Sequence, residues 1–303
     1  MNIKNNVLSP AFAFLAALTL FMTSCQDVVE VDLSQDLKRI VVEGHITDKP
    51  NYRDTIKVSY NNEFYDETGV DHATNSTVII SDDQGNIDTL TEVKSGSFIT
   101  SLSYRGVPGR SYSLNVFTAD GNHYFSDPSF MEQVPEIDSI YIRETNDYYK
   151  ELGWPEAIWG DNRYQIHIDF LDNETIGNVY GWNVWKNDTN YTDKNRLFLA
   201  RDDFFGQDPA GEYWENLITF DYDLIEGDSV YIEQITVSLE EFDFRTTLSN
   251  SESSSAFEAF FGTTPAPVES NIHNANNENE LEIGFFGAHS VVSASVVIPA
   301  LPQ

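Results

Sequence analysis

The chain has 303 residues, with 49 Asp+Glu against 17 Lys+Arg and a formal net charge of −32. So acidic a surface repels nucleic-acid phosphates, whose binding needs clustered Lys and Arg, and it opposes polybasic attachment to anionic lipid. Hydrophobic residues at 41% and aromatics at 13% exclude a disordered chain, and the length suits one large or two moderate domains.

The first 25 residues carry the clearest signal. A short polar segment with one cation, Lys4, precedes an apolar run from Val7-Leu8 through Ala11 to Met22, broken by Ser9-Pro10. The run closes on Thr23-Ser24-Cys25-Gln26, the layout of a secretory signal with a small-residue cleavage site. It is too short for a comfortable membrane span of about 20 apolar residues. Cys25 is the only cysteine, so it reads better as an anchor than as half of a disulfide. The ending resembles a bacterial lipobox, with Met22 where leucine is commonest; a plain signal peptide with an incidental cysteine is the alternative. The expectation is a signal over 1–24, lipidation at Cys25, and an acidic tether over 25–38.

Arg39–Ile46 and Asp54–Tyr60 are β-branched runs bounded by turn residues, and both predict strands. Residues 61–75 read as a loop. Thr77–Ser81 and Ile87–Thr91 flank the turn Asp82–Asn86 and form a hairpin. Ser97–Leu102 is a further strand, and Gly106–Arg110 leads into Ser111–Phe117, which alternates with period two. Ala119–Asn122 then turns the chain into His123–Ser126. Short strands between regular turn signals predict an antiparallel β-sandwich over 39–133.

A second β-rich domain, 134–303, opens at Gln133-Val134-Pro135-Glu136. Ile137–Glu144, Tyr164–Phe170, Asn178–Trp185 and Asp228–Leu239 predict strands. Residues 186–216 are a long excursion rich in Asp, Asn and aromatics, a kind of segment often given over to function. A short helical insert is expected near 240–261, broken by serines 251–255 and stopped by Pro265 and Pro267. Leu281–Ser290 and Val291–Ile298 are strong β stretches expected to close the second sheet.

Cys25 with its acidic spacer, then Val41-Val42-Glu43-Gly44-His45-Ile46-Thr47-Asp48, resembles the start of the DUF4249 lipoproteins of Bacteroidota. So do Val78–Asn86, Gly106–Leu114 and Val134–Ile140. Pro265–Val268, Asn271-Ile272 and Gly284–Ala288 are similar to the family's closing motif. The first section, read as an immunoglobulin- or prealbumin-like sandwich, also resembles the carboxypeptidase-regulatory or prealbumin-like sandwich. The family resemblance implies a lipid-anchored outer-membrane protein, more often displayed at the cell surface than on the periplasmic face. Such proteins accompany TonB-dependent receptor β-barrels, so an accessory ligand- or partner-binding subunit is the implied role.

Chemistry-bearing patterns are sparse. The six histidines form no H-E-x-x-H or other close pair, so no zinc site is expected. His167 within a β run reads as a packing residue. His289-Ser290 lacks a G-x-S-x-G elbow, and neighbours in a strand point to opposite faces. Asp202, Asp203, Asp208 and Glu212 form a weak Ca²⁺ candidate that fits no EF-hand spacing. The five tryptophans all fall in the second section, and exposed aromatics among polar residues mark binding surfaces. Trp154, Trp159, Trp214, Phe204 and Phe205 are the candidate surface, with about half of the aromatics assigned to the core. The leading expectation is a non-enzymatic binding protein without cofactor. An adhesive or structural surface protein and a carboxylate- or calcium-dependent hydrolase are the alternatives.

Overall fold

Period-two alternation places the apolar side chains of most segments on one face, and the computed structural model shows these segments paired as strands. It describes residues 39–61, 69–153, 164–192, 197–204, 211–220, 223–249, 270–277 and 282–300. Cys25 and the tether 25–38 lie outside the described residues.

In the first section the strands are β1 (Ile40–Thr47), β2 (Thr55–Tyr60), β3 (Asp71–His72), β4 (Thr77–Asp82), β5 (Ile87–Thr89), β6 (Thr91–Lys94), β7 (Ser97–Ile99), β8 (Ser111–Phe117), β9 (His123–Ser126) and β10 (Ser129–Phe130). The second section contributes β11 (Ile137–Glu144), β12 (Tyr164–Leu171), β13 (Val179–Lys186), β14 (Thr189–Asn190), β15 (Phe198–Arg201), β16 (Tyr213–Phe220), β17 (Ser229–Val237), β18 (Ile272–Asn274), β19 (Ile283–His289) and β20 (Val291–Val297). Helix α1 spans Thr145–Glu151 and α2 covers residues 239–249. The protein is mainly β, as its turn spacing predicts.

The first pair of sheets runs β19-β1-β2-β7-β6, with β3 beside β2, and β18-β9-β8-β4-β5, with β10 beside β8. Ile40, Val42, Ile56 and Val58 from the first sheet share one buried core with Val78, Ile80, Leu114 and Val116 from the second. Burying each such side chain contributes roughly 1.5–3 kcal/mol. The second pair runs β11-β12-β16 and β14-β13-β17-β20, with β15 beside β13. Its core joins Ile166, Ile168 and Phe170 to Tyr180, Trp182, Val184 and Ile232.

One expectation is corrected here. Val291–Val297 does join β17 in the second section, but Ile283–His289 returns to the first and pairs in parallel with β1. Their burial explains the split: β19 is buried on both faces from Gly284 to His289, whereas β20 alternates. A parallel strand covered on both sides needs that continuous burial. Gly284, at φ 116°, lets β19 approach β1, because a Cβ there would overlap the Val42 backbone. The first sandwich is therefore antiparallel apart from this pair, and β18 likewise completes its other sheet beside β9.

Helix α1 carries no strong sequence signal. It starts without a side-chain cap, with Asp147 in its first turn and Lys150 in its last. Gly153, at φ 71°, ends it, its N–H donating to the Lys150 carbonyl. β16 arises within and beyond the predicted long excursion, because its pairing with β12 supplies the hydrogen bonds that local sequence does not specify.

Candidate ligand-binding site

Among the described residues, the acids and aromatics singled out from the sequence do not converge on one site. Asp202 is fully buried and accepts the backbone N–H groups of Gly177 and Asn178 at 2.9–3.0 Å, which closes a loop. Asp203 pairs with Arg201 at 2.5 Å, and Glu212 is exposed. Among the described residues no group of three or more His, Cys, Asp or Glu is arranged to hold a metal ion. Trp214 is packed against Phe170 at 5.2 Å and Tyr180 at 5.8 Å instead of standing in a loop. Its pairing opposite Phe170 across β12 and β16 turns it toward the second core. Only the backbone of Phe204 is described, in a 3-10 turn, and Trp154, Trp159, Phe205 and Asp208 lie outside the described residues.

A different aromatic and acidic constellation does form, on the outer face of the sheet holding β13 and β17. Trp182, Val184, Val230 and Ile232 face the core, so Trp185, Ser229, Tyr231 and Glu233 must face outward. Trp185 stands opposite Tyr231, with ring centroids 5.3 Å apart and planes tilted by 56°. With Asp188 they line an open cleft of about 310 Å³.

The cleft's tip is the two-residue hairpin Asn187-Asp188, at φ 47° and 63°. Two left-handed residues match the turn that joins twisted strands, and Asn and Asp tolerate it well. The Asn187 side chain donates to Asp228 at 2.6 Å and accepts from the Ser229 N–H at 2.9 Å. Burial opposes ionisation of Asp228, but donors from Ile225, Asn187 and Lys186 hold its carboxyl below the usual range.

The inner end is set by the loop between β1 and β2. Asp48 accepts from Ser290 Oγ and the Val291 N–H, which fixes the loop against the start of β20. Lys49 then reaches Glu233 at 2.5 Å and lies 4.2 Å from the centroid of the Tyr52 ring. The Tyr231 hydroxyl donates to the same Glu233 oxygen at 3.0 Å. Burial works against the Lys49 charge, yet the Glu233 bond and charge keep its pKa raised. Tyr52 and Tyr231 are 47% and 37% exposed, so the ring surface is reachable from solvent. Trp185 belongs to the aromatic group read from the sequence. Lys49, Tyr52, Tyr231 and Glu233 had no distinguishing signal, since only strand register and the loop's path bring them together.

Two further polar groupings are structural. His289 Nε2 lies 2.7 Å from Glu241 Oε2, and Arg245 holds the other Glu241 oxygen at 2.7–2.8 Å, which ties α2 to β19. Burial raises the cost of the Glu241 charge, but His289 and Arg245 outweigh it and depress the carboxyl well below its usual range. Ser290 turns the other way toward Asp48, so the His289-Ser290 pair is not a nucleophile and base. On the three-stranded sheet, Ser139–Asp169, Tyr141–His167 and Arg143–Gln165 are alternate cross-strand pairs. His167 is buried between the Tyr141 and Tyr148 rings, as a packing histidine. The fully buried Gln165 amide has no hydrogen-bond partner among the described residues.

No curated protein sequence matches the chain. A family model described as a domain of unknown function, DUF4249, matches residues 26–295. That match covers both sandwiches, including the returning strands β18 and β19, and begins at the residue after Cys25. The chain belongs to the DUF4249 family.

Proposed function

We propose that this protein is held at the outer membrane by lipid on Cys25 and acts, without catalysis, as an accessory binding subunit of a TonB-dependent transporter at the cell surface. The anchor reading rests on the apolar run that ends at the chain's only cysteine. Among the described residues no helix is long and apolar enough to cross a membrane, and attachment through Cys25 asks for none. The observation that carries the binding role is the open cleft of Trp185 and Tyr231. Large rings left in reach of solvent beside fixed charges are characteristic of recognition surfaces.

Two measurements test the reading. Cys25→Ala is expected to leave a folded protein that no longer sediments with membranes; continued membrane retention overturns the anchor. Mild-detergent purification of the native protein is expected to bring a receptor-type β-barrel with it. Recovery of the protein with glycan or matrix material and no barrel favours the adhesive role instead.

A further inference from the structure

The cleft beside Trp185 admits a more specific assignment, which rests on the binding role proposed above. We propose that it docks a basic side chain, lysine or arginine, from a partner protein. An ammonium or guanidinium within about 6 Å of an aromatic face is attracted to it, most strongly by tryptophan. Trp185 and Tyr231 line the cleft with two rings whose planes meet at 56°, and Asp188 lines it with them.

The chain already satisfies this chemistry with its own cation one position further in. Lys49 is held by the Glu233 carboxylate and the Tyr52 ring, and the Tyr231 hydroxyl shares the same carboxylate oxygen. The inner end is therefore filled, while Trp185 and Asp188 remain at the outer end. A volume of about 310 Å³ suits one long side chain, at the lower bound of small-ligand pockets. The surrounding field has the same sign preference: 49 acids against 17 bases concentrate cations at the surface. A neutral saccharide could also stack on Trp185, but it gains nothing from that field. It also finds Glu233 already engaged, which leaves Asp188 and Ser229 as the polar lining available to its hydroxyls.

The test uses the full chain in detergent and a short peptide carrying two arginines, alongside its citrulline counterpart. Arginine and citrulline have nearly the same shape and differ in charge. The arginine peptide is expected to bind, with the citrulline form weaker by about tenfold or more. Trp185→Ala is expected to weaken the arginine peptide to a similar degree, and Trp185→Phe to weaken it less. Circular dichroism of the Phe variant separates a lost contact from a lost fold. Asp188→Asn is expected to lower affinity several-fold, while Asp83→Asn, the same charge change on a distant turn, leaves it unchanged.

Equal binding of the two peptides overturns the proposal. So does an Asp83→Asn effect as large as that of Asp188→Asn, or neutral oligosaccharides binding in place of the arginine peptide. A barrel that co-purifies equally with wild type and Trp185→Ala sinks this inference and leaves the accessory role standing. Arginine-peptide binding by a protein that recovers no barrel does the reverse.

Discussion

At the scale of single residues, the most demanding group is Glu241, a carboxylate buried at the junction of α2 and β19. It is ionised because His289 and Arg245 both bond it. Removing one partner of such a cluster strands the others, which typically costs about 3–5 kcal/mol. Glu241→Ala is expected to lower unfolding free energy by that amount in urea titrations. A loss under ~1 kcal/mol would mean that α2 is not held by this cluster. The neighbouring His45 ring stacks on His289 at 4.6 Å, and burial together with the His289 charge pushes its pKa down to about 3. Its ordinary value is 6.5, so between these limits the unfolded chain carries the extra proton and stability falls as pH drops below about 6.5. Asp54 acts in the opposite sense. Burial pushes it up to about 6, against the hydrogen bonds from Thr47, so the folded state gains stability as pH falls through that value. His45→Gln removes one of the two opposed trends. Its urea midpoint is expected to rise as pH falls from 7 to 5, relative to wild type. An unchanged pH slope would show that His45 stays solvated.

At the scale of elements, the chain shows where local pattern suffices and where it does not. β8 was legible because Tyr112, Leu114 and Val116 alternate with Ser113 and Asn115, and the structure buries the first set. The β4–β5 hairpin was legible from its turn, where Asp82 accepts the N–H groups of Gln84 and Asn86. Helix α1 was not, because Tyr148 and Tyr149 favour strand as readily as helix and no side chain caps its start. β19 was legible as a strand but not in its placement. Gly284→Ala tests that placement, since an added methyl would force β19 off β1 at a strained φ. A cost on the order of 3 kcal/mol is expected, read as a lowered thermal midpoint. Gln165 offers the opposite case. Its buried amide makes no hydrogen bond among the described residues, so Gln165→Leu is expected to be neutral or stabilising by ~1 kcal/mol. Clear destabilisation would show that the amide is bonded in solution.

At the scale of the whole molecule, residues Lys38–Gln303 form one compact unit. The reason lies in the two late strands, which carry Ile272, Phe286 and Ala288 back into the first core. A fragment of residues 39–133 alone lacks those side chains and leaves β1 and β9 as open edges. It is expected to remain unfolded or to aggregate, with far-ultraviolet dichroism short of a β spectrum. A folded, monomeric fragment would show that β18 and β19 are dispensable. The Lys49–Glu233 and Asp48–Val291 contacts add polar ties between the sections, so the cleft depends on both being in place.

The class of the fold, the strand-rich order of its segments, the family and the acidity of the surface can all be read from the residues alone. Each of these follows from side-chain periodicity, turn chemistry or composition, which act over a few residues or over the whole chain at once. Which sheet each late strand joins, and which aromatics face outward, is settled by packing in three dimensions. Strand partners are chosen by burial across hundreds of residues, and a shift of one position in register exchanges the two faces of a strand. Trp214 turned inward and Trp185 outward for that reason, and the candidate site moved with them.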